Sequence, residues 1–206
     1  VDLVVSAAII SGLTVTTADA DDSIHIPDLA TNLTADLSGI TGAGTETAAF
    51  DADGTFTGDL GTVNVTVADD VTMTAAASIL SDAIVNKSGS GSDNGAIAVT
   101  LSNAVAGDAT VDLTTIPGQA ADNAGVTDAP VLASVTVLND LTFTGTLING
   151  VQVADGATLT VAADVIDGIT VDAAGTTGAV TIDATTVTDT DLNLAGSANY
   201  TVNTLT

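Results

Sequence analysis

Residues 56–85, FTGDLGTVNVTVADDVTMTAAASILSDAIV, return at residues 143–171 as FTGTLINGVQVADGATLTVAADVIDGITV. Both copies keep Phe-Thr-Gly, then Leu, Val-x-Val-Ala-Asp and Thr-x-Thr-x-Ala-Ala, and close on Ile-x-Val or a near equivalent. The second half occurs a third time at Val1–Val15, VDLVVSAAIISGLTV, which lies over residues 71–85 without a gap. A repeat at fixed period constrains a fold more than any local feature, because each unit must bury its apolar face against the next. The expected organisation is a partial repeat over 1–40, a full repeat over 41–116, a joint over 117–130 and a second full repeat over 131–206.

Within the repeats the apolar residues alternate. Val63, Val65 and Val67 take one face and Asn64 and Thr66 the other, the period of a half-buried strand. Val71, Met73 and Ala75 alternate with Thr72 and Thr74 in the same way. Turns are expected at Asp69-Asp70 and at Asp155-Gly156, its counterpart. Further strands are expected at Ile24–Ile26 (ended by Pro27), Ile97–Leu101, Val180–Ile182, Asp191–Leu194 and Tyr200–Leu205. Val131–Leu138 reads as a strand buried on both faces, and the loop over 86–95, which carries Lys87, as flexible. Ala75–Ile84 has the length for one or two helical turns, but its threonine and β-branched neighbours argue for strand.

The fold class is therefore all-β, and two architectures fit. One is a β-solenoid akin to a parallel β-helix, in which each strand and turn forms one side of a coil; this is favoured. The alternative is a row of tandem β-sandwich domains, which the repeat length suits. Hydrophobic residues make up 46% of the 206 residues but aromatics only 2%. Small aliphatic side chains fill narrow, evenly layered cores, which favours the solenoid.

Charge narrows the function. One lysine, no arginine and 26 acidic residues give a formal net charge of −25, and Glu46 is the only glutamate. Nucleic acid requires a basic surface, so it is excluded as a partner. An anionic membrane surface is disfavoured on the same ground, and no apolar run has the length of a membrane helix. Two readings of the acidity stand: a solvated surface suited to a salty exterior, or coordination of divalent cations, with Ca²⁺ expected. With no cysteine there is neither a disulfide framework nor a thiolate site. The chain opens on Val1 inside a repeat, with no signal-peptide pattern. It reads as a mature product or as a window of something longer.

Units of the form FTGxLGxxxVTVADxVTxTAAAS, followed by a Gly-rich loop and a closing xxDLxxI (ADLSGI at 35–40, VDLTTI at 111–116), resemble the Ala/Thr/Val/Asp-rich repeats of large bacterial cell-surface and adhesin-like proteins. That resemblance implies secreted, multi-repeat proteins of surface layers, filaments or adhesive stalks, often associated with calcium. The calcium-binding G-G-x-G-x-D repeat of one such class is missing, so its ligand ladder cannot be carried over.

Parts for catalysis are scarce. Without cysteine or arginine, and with single histidine, lysine and glutamate residues, a nucleophile–base arrangement has almost nothing to draw on. His25, between two isoleucines, reads as structural, and no enzyme is expected. The best metal candidate is Asp51-Ala52-Asp53-Gly54 with Asp59 nearby, which resembles the first half of an oxygen-ligand calcium loop but has no Glu at its twelfth position. Asp19, Asp21 and Asp22 form a second candidate, and Asp189 with Asp191 a third; each also reads as a solvated turn. Thr-x-Thr pairs recur at 14/16, 55/57, 72/74, 142/144 and 158/160, where threonine suits an outward strand face and could order water. Asn32, Asn64, Asn86 and Asn199 each begin an Asn-x-Ser/Thr sequon.

The expected role is that of a structural repeat protein in an extracellular, prokaryotic cell-surface assembly. It would associate through its ends with copies of itself or with adjacent repeats, without membrane insertion. The alternative is a cell-surface module that binds glycan or ice through flat, threonine-rich β faces.

Overall fold

The computed structural model describes residues 1–81, 83–88, 95–117, 130–184 and 192–203. β1 (Asp2–Val4) leads into a four-residue helical turn, α1 (Ala7–Ile10), and then β2 (Val15–Thr17). β3 (Ser23–Ile26), β4 (Ile40–Gly42), β5 (Thr45–Phe50) and β6 (Gly54–Phe56) follow. β7 (Asn64–Val67) and β8 (Thr72–Ala76) precede a second turn, α2 (Ala77–Leu80), and β9 (Val85–Lys87) and β10 (Ala96–Leu101). β11 (Val131–Val137), β12 (Leu141–Phe143), β13 (Val151–Val153) and β14 (Thr158–Ala162) lead to α3 (Ala163–Ile166). β15 (Val171–Ala173), β16 (Ala179–Asp183) and β17 (Asn199–Asn203) complete the order. The chain is mostly strand, in parallel sheets, with few helical residues.

Two compact units emerge: Val1–Ala75 with Asp82–Ala98 and Ile116–Ala133, and Ala76–Ser81 with Val99–Thr115 and Ser134–Thr206. In the first, β1, β3, β5, β7 and β9 lie side by side in that order, while β2 pairs with β4 and β6 with β8. Every one of these pairs is parallel, and each partner is about one rung of some twenty residues further along the chain: Asp2 faces Ser23, Ser23 faces Thr45, and Val65 faces Val85. In the second, β11, β13 and β15 pair in parallel, as do β12, β14, β16 and β17.

Parallel register turns alternation into columns, because residues in register project to the same face. Ile26, Ala48, Val65 and Val85 form a buried column in the first unit. In the second, Phe143, Val161 and Ile182 stand in register and are all buried. Phe50, Phe56 and Phe143 are fully buried, so all three phenylalanines of the chain serve the core. Burying such a side chain is worth roughly 1.5–3 kcal/mol.

The repeat survives into the pairing. β6 meets β8 with Phe56 opposite Ala75, and β12 meets β14 with Phe143 opposite Val161. Val67 faces Lys87, and its counterpart Val153 faces Ala173. Asp59 bridges to Asp36, and Thr146, its counterpart, bridges to Asp112. The Phe-Thr-Gly motif runs here: Thr57 and Thr144 donate their N–H groups to the carbonyls of Leu33 and Ala109. A Cβ on Gly58 or Gly145 would overlap the carbonyl oxygen of Ala35 or Val111, so only glycine allows that approach.

Several expectations need correction. Ala77–Leu80 is one helical turn, and it recurs at Ala7–Ile10 and Ala163–Ile166. The first and last residues of each turn are buried, so a small alanine followed three positions later by a larger aliphatic residue outweighs the β-branched neighbours. β11 is buried only in its second half: Val131 is exposed, as is Leu138 beyond it, whereas Val135 and Val137 are buried. Leu192–Leu194 is not strand, and Asp191, Leu205 and residues 89–94 and 118–129 lie outside the described residues. Lys87 lies within β9.

Candidate functional site

The side chains with most chemical potential are the aspartates, and their surroundings are of one kind. Each takes backbone N–H groups, mostly from the neighbouring rung. Asp53 Oδ1 accepts from Thr72 N at 2.7 Å, and Asp140 Oδ1 accepts from Thr158 N at 2.8 Å at the same point of the second repeat. Asp28 accepts from Ala7 N at 2.8 Å, Asp167 from Asn193 N at 2.8 Å, and Asp172 from Ser197 N at 2.8 Å. Asp155 Oδ1 gathers Thr176 N at 2.8 Å, Thr177 N at 3.0 Å and the Thr177 hydroxyl at 3.0 Å. A short carboxylate one methylene from the backbone reaches such groups with little rotamer entropy to lose, which explains aspartate in place of glutamate.

The most enclosed carboxylate is Asp108, fully buried at the start of a 3₁₀ turn. Its two oxygens accept the N–H of Ser78 at 2.9 Å and of Ser102 at 3.0 Å. Ser78 lies in the first turn of α2, whose leading N–H groups have no intrahelical partner. In the other unit, Thr17 donates its hydroxyl to Glu46 at 2.7 Å in a buried pair and accepts from Gly44 N at 2.9 Å. Among the described residues no buried side-chain polar atom lacks a partner.

Hydrogen bonding lowers several carboxyl pKa values. The Ser38 hydroxyl, then its N–H, holds Asp36 below the ordinary value. The Thr114 hydroxyl and N–H do the same for Asp112, the counterpart of Asp36. For Asp155 the leading cause is the N–H of Thr177, with its hydroxyl and the N–H of Thr176 adding to it. Donors aimed at the ionised form favour it.

The six residues singled out as metal ligands do not form one constellation. Asp51 is exposed, Asp53 is engaged with Thr72, and Asp59 accepts from Gly61 N at 2.9 Å. Asp19 and Asp21 are exposed. Asp22 closes its own turn on the N–H groups of Ala18 and Asp19, both at 3.1 Å, and receives the amino group of Val1. Among the described residues no group of three or more His, Cys, Asp or Glu side chains is placed to hold a metal ion. Asp189 and Asp191 lie outside the described residues. Sequence reasoning passed over Asp140, although its place before Leu-Thr-Phe matches that of Asp53 before Gly-Thr-Phe. It also passed over Asp108, for which the buried environment is the only signal.

His25 is exposed, and its Nδ1 shares a hydrogen bond of 3.0 Å with the Thr47 hydroxyl. The Thr-x-Thr pairs fall into ranks. Thr142, Thr160, Thr181 and Thr201 stand in register across β12, β14, β16 and β17, none of them buried, and Thr55 faces Thr74. The sequon residues Asn32, Asn64 and Asn86 are half-buried, and Asn199 is exposed on β17. No helix among the described residues is long and apolar enough to cross a membrane.

No protein-family model matches the chain, and neither does any curated protein or solved structure.

Proposed function

We propose that this chain is a β-solenoid segment acting as a structural repeat of an extracellular, prokaryotic surface assembly: a filament, a surface layer or an adhesin stalk. The observation that carries the reading is the use made of the aspartates. Carboxylates that could have converged on a site are instead spent one by one on the N–H groups of neighbouring rungs, as Asp53 does for Thr72 and Asp140 for Thr158. Parallel pairing at about one rung per twenty residues supports a solenoid over sandwich domains, whose sheets are antiparallel. Such bodies stack unit on unit and meet further copies or repeats through strand edges.

A net charge of −25 makes like copies repel, so the assembly would depend on cations, calcium foremost. Negative-stain microscopy of the purified chain, with calcium and with sodium chloride at matched ionic strength, tests the reading. Rods, sheets or end-to-end polymers are expected, more abundant with calcium. A monodisperse compact particle under all conditions overturns it.

A second reading rests on the rank Thr142, Thr160, Thr181 and Thr201, which offers a regular hydroxyl lattice for ordered water or a glycan. Ice-recrystallisation inhibition by the native chain, lost in Thr160→Val with Thr181→Val, is its distinguishing measurement.

A further inference from the structure

The free edge of β1 is built to receive one particular kind of strand, and the internal repeat says which. β1, α1 and β2 correspond to β8, α2 and β9 and again to β14, α3 and β15. In both of those copies the corresponding strand has a parallel neighbour on the side away from its next rung: β6 lies beside β8, and β12 beside β14. β1 is paired with β3 alone. The burial differs accordingly. Leu3 is 41% exposed, while its counterparts Met73 and Leu159 are at 0%. Val15 is half-buried, whereas Val85 and Val171 are buried. Ile9 is exposed, and Ile79 and Val165 are not. An open hollow of about 140 Å³ lies against Leu3, Val15 and Ile24.

The hydrogen-bonding parity of the edge is defined. Val5 donates to the carbonyl of His25, and Ser23 donates to that of Val1. In a parallel ladder a residue turns its N–H and C=O to the same side, and its neighbours turn theirs to the other. Asp2 and Val4 therefore direct theirs outward. At the counterpart of Asp2, the outward N–H groups of Thr72 and Thr158 are taken by the carboxylates of Asp53 and Asp140. Those aspartates open Asp-Gly-Thr-Phe and Asp-Leu-Thr-Phe, whose phenylalanines stand opposite Ala75 and Val161, the counterparts of Val5.

We propose that β1 is a docking edge for an extended Asp-x-Thr-Phe strand of another repeat unit of this type. The strand adds in parallel, with its Thr opposite Val4, its Phe opposite Val5, and its Asp carboxylate on the N–H of Asp2. This rests on the structural reading above and names the contact through which a neighbouring unit engages.

The test adds a second copy of residues 53–70 ahead of Val1, so that an Asp-Gly-Thr-Phe strand is held at high effective concentration. The control carries Phe56→Asp in the added copy only. Hydrogen exchange at the amides of Asp2 and Val4 is expected to slow by on the order of tenfold or more relative to the control, with fraying of the edge suppressed. Val4→Pro removes an outward N–H without touching the ladder to β3, a place where an edge strand tolerates proline. It should leave the melting temperature of the 206-residue chain unchanged and cancel the added protection at Asp2. Equal exchange in the fused chain and its control, or protection at Asp2 that survives Val4→Pro, overturns the proposal. The assembly reading fails separately: protected amides in a chain that never polymerises keep the edge and remove the assembly, whereas polymers with unprotected amides do the reverse.

Discussion

The carboxylate of Asp108 accepts the N–H of Ser78 at 2.9 Å, thirty residues back along the chain, and ties the start of a helical turn to the following rung. Its other oxygen holds Ser102 N at 3.0 Å, and the side chain is wholly enclosed. A buried acceptor with two N–H partners is costly to remove, because both donors are then left without one.

Asp108→Ala is expected to destabilise the fold by about 2–4 kcal/mol, the cost of losing hydrogen bonds to a charged group and stranding buried donors. Asp28→Ala, at a half-buried position with one such bond to Ala7, should cost about 1 kcal/mol. Urea titrations of both variants check the order; equal losses would contradict it.

Gly58 and Gly145 stand at the same point of the two repeats, each against a backbone carbonyl. Gly58→Ala and Gly145→Ala should each cost roughly 2–3 kcal/mol, because a backbone oxygen cannot swing aside as a flexible side chain can. Both variants should melt lower by a similar amount.

Asp70 and Gly156 occupy one turn in the two copies, with φ of 60° and 76°. Left-handed backbone disfavours a residue bearing Cβ. Asp70→Gly is expected to stabilise by about 0.5–1 kcal/mol, and Gly156→Asp to destabilise by a like amount. Nothing lies within 4 Å of a Cβ at Gly156, so backbone strain alone sets that cost. Chemical denaturation of the two single variants and the double swap gives the comparison.

Asp36, Asp112 and Asp155 have folded-state pKa values below the ordinary aspartate value of about 4. Their contribution is fully present above that unfolded value and is lost as pH falls through the lower folded values. The melting temperature should therefore hold from neutrality to about pH 5 and fall below about pH 4. Replacing all three by Asn keeps an oxygen acceptor but removes the titration, so the acid limb should flatten. A triple variant with the same acid limb would assign the loss to other carboxylates.

Alternation at Val63, Val65 and Val67, the Phe-Thr-Gly frame and the repeat were legible from residue order, and they carried the strands, the buried face and the equivalence of the two copies. Those features follow from local periodicity and from copying, which a linear sequence records in full. Parallel pairing was decided by tertiary structure, because register depends on which rung a strand meets some twenty residues away. So was the helical turn at Ala77–Leu80, whose short length leaves no period to read. The aspartates show the division most sharply. Their turn positions were plain in the sequence, but whether Asp53 faced a cation or the N–H of Thr72 depended on what the neighbouring rung placed opposite it. A carboxylate takes its role from the nearest donor, and only the folded chain brings that donor within reach.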